Sequence, residues 1–327
     1  MKKRKCLFAS AILLLVTVLS GCNLVVFDPQ GPQARKITEL INFSLVWIGL
    51  VVVVVLALFI WVVVKYRATP ENEGYEPPNE EGNKWLEIIW TSIPIVIVTI
   101  LTIPTIKTLV ELEEVPEGYK DKEVINIHVT SADWKWIFSY PEEGIETVDY
   151  VTIPVNKPVN FKLTSAGTQQ SFWIPSLAGQ KYTMPNMETE LIVVAEREGQ
   201  FWGKNTNFNG EGYSEMVFEV DVKSETDFEE WVAEVQELAP ELTQEEYANK
   251  ILKPSVLGQR LTYSNTHLDF IDHAEYNSDS YKYVNTEDYL SEHEYPGRIF
   301  EEDEGTEQAR NADLKNHEEN GGGPSGH

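Results

Sequence analysis

Two long apolar runs dominate the first third of the chain. Residues 41–64 carry no charged side chain and include five consecutive valines at 51–55. Residues 85–107 repeat the pattern, with Glu87 near the start and Pro94 and Pro104 inside. Each run is long enough to cross a hydrocarbon layer of ~30 Å at ~1.5 Å per residue. Proline removes one helical hydrogen bond, which membrane helices tolerate where neighbours satisfy the freed carbonyl. Trp47, Trp61, Trp85 and Trp90 lie towards the ends of the runs, where indoles prefer the interface. The pattern predicts a helical hairpin with a polar loop at 65–84.

After a charged linker (108–123) the period changes to two. Ile125, Ile127 and Val129 alternate with Asn126, His128 and Thr130. Trp134, Trp136, Phe138 and Tyr140 predict an aromatic stripe on one strand face. Val159, Phe161 and Leu163 alternate again, as do Met216, Phe218, Val220 and Val222; residues 191–195 read as a buried strand and Gly199 as a turn. Short strands punctuated by Pro and Gly predict an all-β sandwich over 124–223. From Ser224 the period is helical. Thr226 and Glu229 have capping-box spacing ahead of an apolar face of Phe228, Trp231, Val232, Val235 and Leu238. Thr243 and Glu246 predict a second cap for a helix ending before Pro254, and an aromatic stretch follows at 263–276. The expectation is an aromatic-rich helical extension over 224–276. Beyond it, 277–327 is acidic and too poor in apolar residues to offset its chain entropy, so disorder is expected there.

The N-terminus sets the compartment. Lys2, Lys3, Arg4 and Lys5 precede a short apolar region, then Leu19, Ser20, Gly21 and Cys22. This reads as a signal peptide over 1–21 ending in a bacterial lipobox, with lipidation of Cys22 after cleavage. Cys6 leaves with the signal and Cys22 carries lipid, so neither of the two cysteines remains for a disulfide or a metal. With Cys22 outside, 22–40 is an external N-terminal segment, the 65–84 loop is cytoplasmic, and everything after the second span is external. Lys65, Arg67 and Lys84 in the loop agree with the positive-inside rule. The net charge of −26 leaves no basic patch for nucleic acid.

The richest chemistry lies at 201–216, FWGKNTNFNGEGYSEM. This phrase resembles the metal loop of subunit II of haem-copper respiratory oxidases, where Cys-x3-Cys-x3-His-x2-Met and an earlier His hold a dinuclear copper centre. At the corresponding positions this chain has Asn205, Asn209, Tyr213 and Met216, and in the phrase QSFWIPSL Gln170 replaces the earlier His. Asn207 lies between the two asparagines of the same loop. Amides, a phenol and one thioether do not supply the thiolate and imidazole donors that a copper pair needs. Metal at these positions is therefore expected to be lost, and no cofactor is expected in this chain.

That combination looks like the copper-less quinol oxidase branch of the family, and the aromatic-rich extension resembles the C-terminal segment of that branch. The resemblance implies two transmembrane helices plus a cupredoxin-like Greek-key sandwich with a small helical C-terminal extension. It also implies haems and copper in a partner subunit I, other small membrane subunits, and membrane quinol as substrate of the complex, with proton translocation. No soluble cytochrome c is expected to dock. Glu87, in the phrase WLEIIWTSIP, resembles a family glutamate at the mouth of the proton pathway that rises through subunit I; a carboxylate snorkelling to the headgroups fits the same position. Catalytic residues are otherwise not expected. Trp134 and Trp136 are expected to pack, His128 to be a hydrogen-bonded or surface imidazole, and His267 and His273, six residues apart, not to form a metal pair. Two alternatives stay open: a free-standing cupredoxin-like lipoprotein for assembly or ligand binding, and a true cytochrome c oxidase subunit II. The first leaves two spans unexplained, and the second needs the missing donors.

Overall fold

A computed structural model describes residues 24–67 and 82–274. Residues 1–23, on which the expected signal peptide and lipidated Cys22 fall, loop residues 68–81 and the tail from 275 lie outside the described residues.

Helix α1 (Pro32–Lys65) and helix α2 (Lys84–Leu112) form the predicted hairpin. Both extend beyond their apolar runs. Helix α1 starts nine residues ahead of Ile41, with Pro32 in its first turn, where a missing N–H costs nothing. Helix α2 is capped by Asn83, whose Oδ1 accepts from the N–H groups of Trp85 and Leu86. It continues to Leu112, five residues into the stretch read as linker. The extra turns hold the hairpin to the rest of the protein. Lys36 of α1 meets Glu111 of α2 at 2.6 Å, and Arg35 pairs with Glu196. The backbone N–H groups of Gln30 and Ala34 donate to Ser176 and Leu177 carbonyls at 2.7 and 3.2 Å. At Gly31 a Cβ would lie 2.1 Å from the Val194 carbonyl oxygen, so only glycine allows this close approach.

Eleven strands follow: β1 (Ile125–Ala132), β2 (Lys135–Tyr140), β3 (Ile145–Val148), β4 (Tyr150–Pro154), β5 (Pro158–Ser165), β6 (Gln170–Trp173), β7 (Lys181–Thr183), β8 (Thr189–Val194), β9 (Gly199–Asn205), β10 (Val217–Lys223) and β11 (Leu261–Tyr263). They make two sheets, β11-β3-β2-β1-β5-β8 and β4-β10-β9-β6-β7. Two parallel pairs, β1–β5 and β4–β10, mark the crossovers. Trp136, Phe138, Phe161, Phe172 and Phe218 fill the space between the sheets. Phe172 stacks on Phe218 at 4.9 Å, with Trp136 edge-on to both, the offset and edge-to-face arrangements that aromatic quadrupoles favour.

The aromatic stripe loses one member. Trp136, Phe138 and Tyr140 are fully buried, but Trp134 precedes β2 with φ +66°. The β1–β2 turn rotates its indole out of the strand face.

The extension is not helical throughout. Helix α3 (Glu225–Leu238) is capped by Ser224, whose Oγ accepts from the Asp227 N–H at 3.1 Å; the Thr226–Glu229 box is therefore displaced by two residues. Ser224 and Asp227 have the same three-residue spacing, and Thr226 lies inside the helix. Thr243 caps the next turn as expected, accepting from the Glu246 N–H, and the chain winds on through a wide turn at Tyr247–Ile251. Strand β11 then pairs with β3. Its Thr-Tyr pair suits a strand, and it covers an edge that would otherwise present bare backbone.

Two buried polar anchors fix the extension. Lys135 Nζ donates to the carbonyls of Lys253, Ser255 and Asp133 at 2.6, 2.8 and 3.2 Å, and burial holds its pKa down to about 8. On the outer side of the first sheet, Glu146 Oε2 accepts from Ser139 Oγ at 2.7 Å and from the His267 backbone N–H at 3.0 Å. The same oxygen lies 2.6 Å from His267 Nδ1. The Tyr247 ring stacks on His267 at 4.8 Å, and its hydroxyl meets His273 Nε2 at 2.9 Å. Sequence spacing gave no sign that His267 and His273 would be neighbours. The 267–269 turn brings them together without making a metal site: among the described residues no cluster of three or more ligating side chains could hold an ion. His128, on β1, is half-buried, and burial lowers its pKa.

Burial, with a smaller contribution from His267, pushes the His273 pKa down to about 3, against about 6.5 in an undocked chain. The docked state therefore prefers neutral His273. Its contribution is complete above about pH 6.5 and is lost progressively as the pH falls towards 3. In limited proteolysis of the intact protein, cleavage within 255–274 should rise between pH 7.5 and 5. His273→Phe, which cannot protonate, should flatten the rise when compared with wild type at each pH.

Candidate functional site

The loop between β9 and β10 rests on β6 and on the β1–β2 turn. Strand β9 ends at Asn205 and β10 begins at Val217. The turn at 211–215 brings Met216 back beside Asn205, whose N–H donates to the Met216 carbonyl at 3.0 Å. Gln170, the first residue of β6, projects into the same space and is fully buried.

Five of the six positions singled out in the sequence converge on one hydrogen-bond network. Gln170 Oε1 accepts from Asn205 Nδ2 at 2.9 Å and from Asn209 Nδ2 at 2.7 Å. Gln170 Nε2 donates to Thr168 Oγ1 at 2.9 Å. Asn205 also donates to the Asn207 carbonyl at 2.8 Å and accepts from the N–H groups of Ser171 and Asn207, both at 2.9 Å. The second Asn209 hydrogen reaches Met216 Sδ at 3.4 Å. Asn207 ties the outer edge of the loop to the Gln169 carbonyl at 2.9 Å. Tyr213 stands apart: it is half-buried and packs on the exposed ring of Phe208 at 5.6 Å.

Trp134 is the site residue that sequence reasoning placed elsewhere. Its Nε1 donates to the Asn209 carbonyl at 3.2 Å. The loop lies flat on the indole: a Cβ at Gly212 would fall 2.4 Å from the ring. The glycines at 210 and 212 of GEG were the available signal, since a loop needs bare backbone where it crosses a ring.

The donor set does not fit a copper pair. Asn205 makes the two donations and two acceptances that a primary amide can offer. Both lone pairs of the Gln170 carbonyl are used, and the Met216 sulfur already receives an N–H. Within the cluster only Asn209 Oδ1 is buried without a partner among the described residues. One neutral carbonyl and one thioether cannot replace bridging thiolates and imidazoles. What the arrangement does is mechanical: amides clamp the loop to β6 in a pocket closed by Trp134.

Glu87 lies in the first turn of α2, away from this cluster and exposed. Its carboxylate turns back towards Gly82, where a Cβ would stand 2.9 Å from Oε1.

Comparison with known proteins agrees with both halves of the fold. Residues 8–108 match the family described as cytochrome c oxidase subunit II, transmembrane domain, and residues 141–223 match cytochrome c oxidase subunit II, periplasmic domain. The chain is 45% identical over 260 residues to a protein of Bacillus cereus named quinol oxidase subunit 2, covering 79% of this chain and 89% of that one. The protein of the same name from Bacillus subtilis is 44% identical over 273 residues, covering 83% and 84%. Among solved structures, the periplasmic domain of subunit II of cytochrome oxidase from Bradyrhizobium japonicum matches at 22% identity and TM-score 0.33, over 33% of this chain and 91% of that one.

Replacing Gln170 by leucine keeps the side-chain volume but removes the acceptor shared by Asn205 and Asn209. Two buried N–H groups then lack a partner, at about 1–3 kcal/mol each. Thermal or denaturant unfolding of the Gln170→Leu protein should show a loss of at least about 2 kcal/mol, with protease cleavage appearing first in the 205–216 loop.

Proposed function

The chain belongs to the cytochrome c oxidase subunit II family, and from that premise we propose that it works as subunit II of a membrane quinol oxidase without a copper centre of its own. It is a membrane protein with a two-helix hairpin and a cupredoxin-like domain. As part of an oxidoreductase complex it works with other oxidase subunits, such as a subunit I. The reading of the electron donor rests on the amide cluster of Gln170, Asn205 and Asn209. Neutral amides have no accessible second oxidation state, so the β9–β10 loop cannot relay electrons from a soluble carrier. Electrons then have to enter the complex from a lipid-soluble donor. The names carried by the Bacillus relatives support a quinol in that role.

In this reading the haems, the oxygen-binding copper and the chemistry belong to subunit I. The hairpin braces subunit I, and the sandwich covers its outer face. Signal cleavage and lipidation at Cys22 would place the sandwich outside the cell membrane. Arg67 and Lys84, on the loop side of the hairpin, support that orientation. Glu87 sits in the first turn of α2 at the loop end of the membrane, where a carboxylate can collect protons for a pathway in subunit I; outward proton translocation completes the reading.

The purified complex should oxidise a short-chain quinol in an inhibitor-sensitive reaction and leave reduced cytochrome c untouched. Metal analysis of this subunit should find less than one copper per chain. Two coppers per chain with cytochrome c turnover would instead identify a cytochrome c oxidase, and a chain that purifies without a haem-bearing partner would identify a free-standing lipoprotein.

Glu87→Gln tests the proton route separately. The variant should assemble normally and slow oxygen reduction severalfold, with a lower proton yield. Unchanged turnover and pumping would remove Glu87 from the pathway.

A further inference from the structure

A cleft of about 610 Å³ opens where the hairpin meets the sandwich, within the size range of small-molecule sites. Its floor is the last part of α2, including Leu109 and Leu112; strand β8 and the Ala178–Lys181 segment form its walls. The height of the cleft follows from helix geometry. Leu112 lies six residues past Ile106, where the apolar run ends, so it stands ~9 Å beyond the hydrocarbon core at ~1.5 Å per residue. That is the headgroup layer of a bilayer.

One wall residue has no structural explanation within the protein. Gln33, in the first turn of α1, lines the cleft and is 2% exposed. Neither its Nε2 nor its Oε1 has a hydrogen-bond partner among the described residues. A buried primary amide left unpaired costs about 1–3 kcal/mol per group. Leucine would fill the same volume without that penalty. The amide calls for a ligand that both accepts and donates a hydrogen bond.

Charge at the rim narrows the ligand. Glu113, Glu188 and Glu190 line the cleft with a single cation, Lys181. Lys181 lies 3.5 Å from Glu113, and Lys162 lies 3.4 Å from Glu188. Carboxylates outnumber cations, so a net anionic head is opposed. A head with a positive donor and a negative acceptor is matched at both ends.

We infer that the cleft binds one zwitterionic phospholipid bearing a primary amine. With the Gln33 side chain turned into the cleft, the ammonium donates to its Oε1 and to the rim carboxylates. An ester or phosphate oxygen accepts from Gln33 Nε2, with Lys181 beside the phosphate. The acyl chains run past Leu109 and Leu112 into the bilayer. A choline head has no N–H to give Gln33 Oε1, and a phosphatidylglycerol head adds an anion to an acidic rim. The site needs only the membrane hairpin and the sandwich, so it stands independently of the electron donor proposed above.

The test is native mass spectrometry of the intact complex, purified from membranes and re-equilibrated with micelles containing phosphatidylethanolamine, phosphatidylcholine or phosphatidylglycerol. Wild type should retain one more phosphatidylethanolamine than Gln33→Leu, with about tenfold weaker retention in the variant. Lys181→Gln, at the exposed edge of β7, should weaken retention severalfold; it carries the test if Gln33→Leu does not assemble. Phosphatidylcholine and phosphatidylglycerol should show no difference between wild type and variants. Equal retention of phosphatidylethanolamine in wild type and variants overturns the site. So does a Gln33-dependent preference for the anionic lipid, a quinone held there in place of phospholipid, or a cleft sealed by another subunit with no lipid bound.

Discussion

The β9–β10 loop is centred on one shared acceptor, the Gln170 side-chain carbonyl. Gln170 Oε1 takes hydrogen bonds from Asn205 and Asn209, two residues of a loop that Trp134, Gln169 and Ser171 also hold. Backbone cannot be buried unless its polar groups are paired, and a loop of this length would otherwise have to stay in water. The shared acceptor lets Met216 turn its sulfur inward and brings the loop down on Trp134. The neighbouring core follows: Met216 is buried in the same core cluster as the stacked pair Phe172 and Phe218, and Gly203 is required because a Cβ there would overlap the Phe218 ring. A cross-link that a metal makes with a few strong bonds is made here by several weak ones. Each amide hydrogen bond contributes about 1 kcal/mol net, so the clamp works only because nearly every donor and acceptor is used.

The same demand explains how the two halves of the protein are joined. Charged pairs near a surface contribute little singly. Arg35–Glu196 therefore orients the hairpin more than it stabilises the join, and Lys36–Glu111 ties α1 to α2 within the hairpin. The closer constraint is backbone contact, with α1 started by Pro32 and pressed through Gly31 onto the Val194 carbonyl. The Ser176–Lys181 segment serves both halves. Ser176 and Leu177 accept from the start of α1, while Gln180 Oε1 lies 2.8 Å from Thr206 Oγ1, next to the amide cluster.

Much of this was legible in the sequence because it depends on local pattern. The two spans follow from apolar length and the sandwich from alternation, while the grouping of Gln170, Asn205, Asn209 and Met216 was legible only through the resemblance to a metal loop. What the sequence hid depends on choices between near-equal local signals or on long-range contact. Ser224 and Thr226 both offer a cap, and packing of Phe228 and Val235 decides for Ser224. Trp134 looks like a strand residue by parity, but the loop's need for a flat support holds it at positive φ. His267 and His273 meet only because the extension folds back over β3, and β11 exists only because β3 offers an open edge. No period within 255–274 encodes either fact.

The unpaired amide of Gln33 and the nearly fully paired amides of the β9–β10 loop, where only Asn209 Oδ1 lacks a partner among the described residues, follow from one rule with opposite outcomes. Where polar side chains share a pocket, they satisfy one another and exclude a ligand; Asn205 has no hydrogen-bonding capacity left to offer. Where a single amide is buried at the edge of a cleft, as Gln33 is, no side chain among the described residues reaches it. A protein tolerates such a group when something outside the chain completes it. Of the positions that resemble a metal loop, Gln170 and Asn205 have no acceptor left to offer. The chemically open position lies about thirty residues before the membrane loop, on a helix turn where the sequence carries no motif at all.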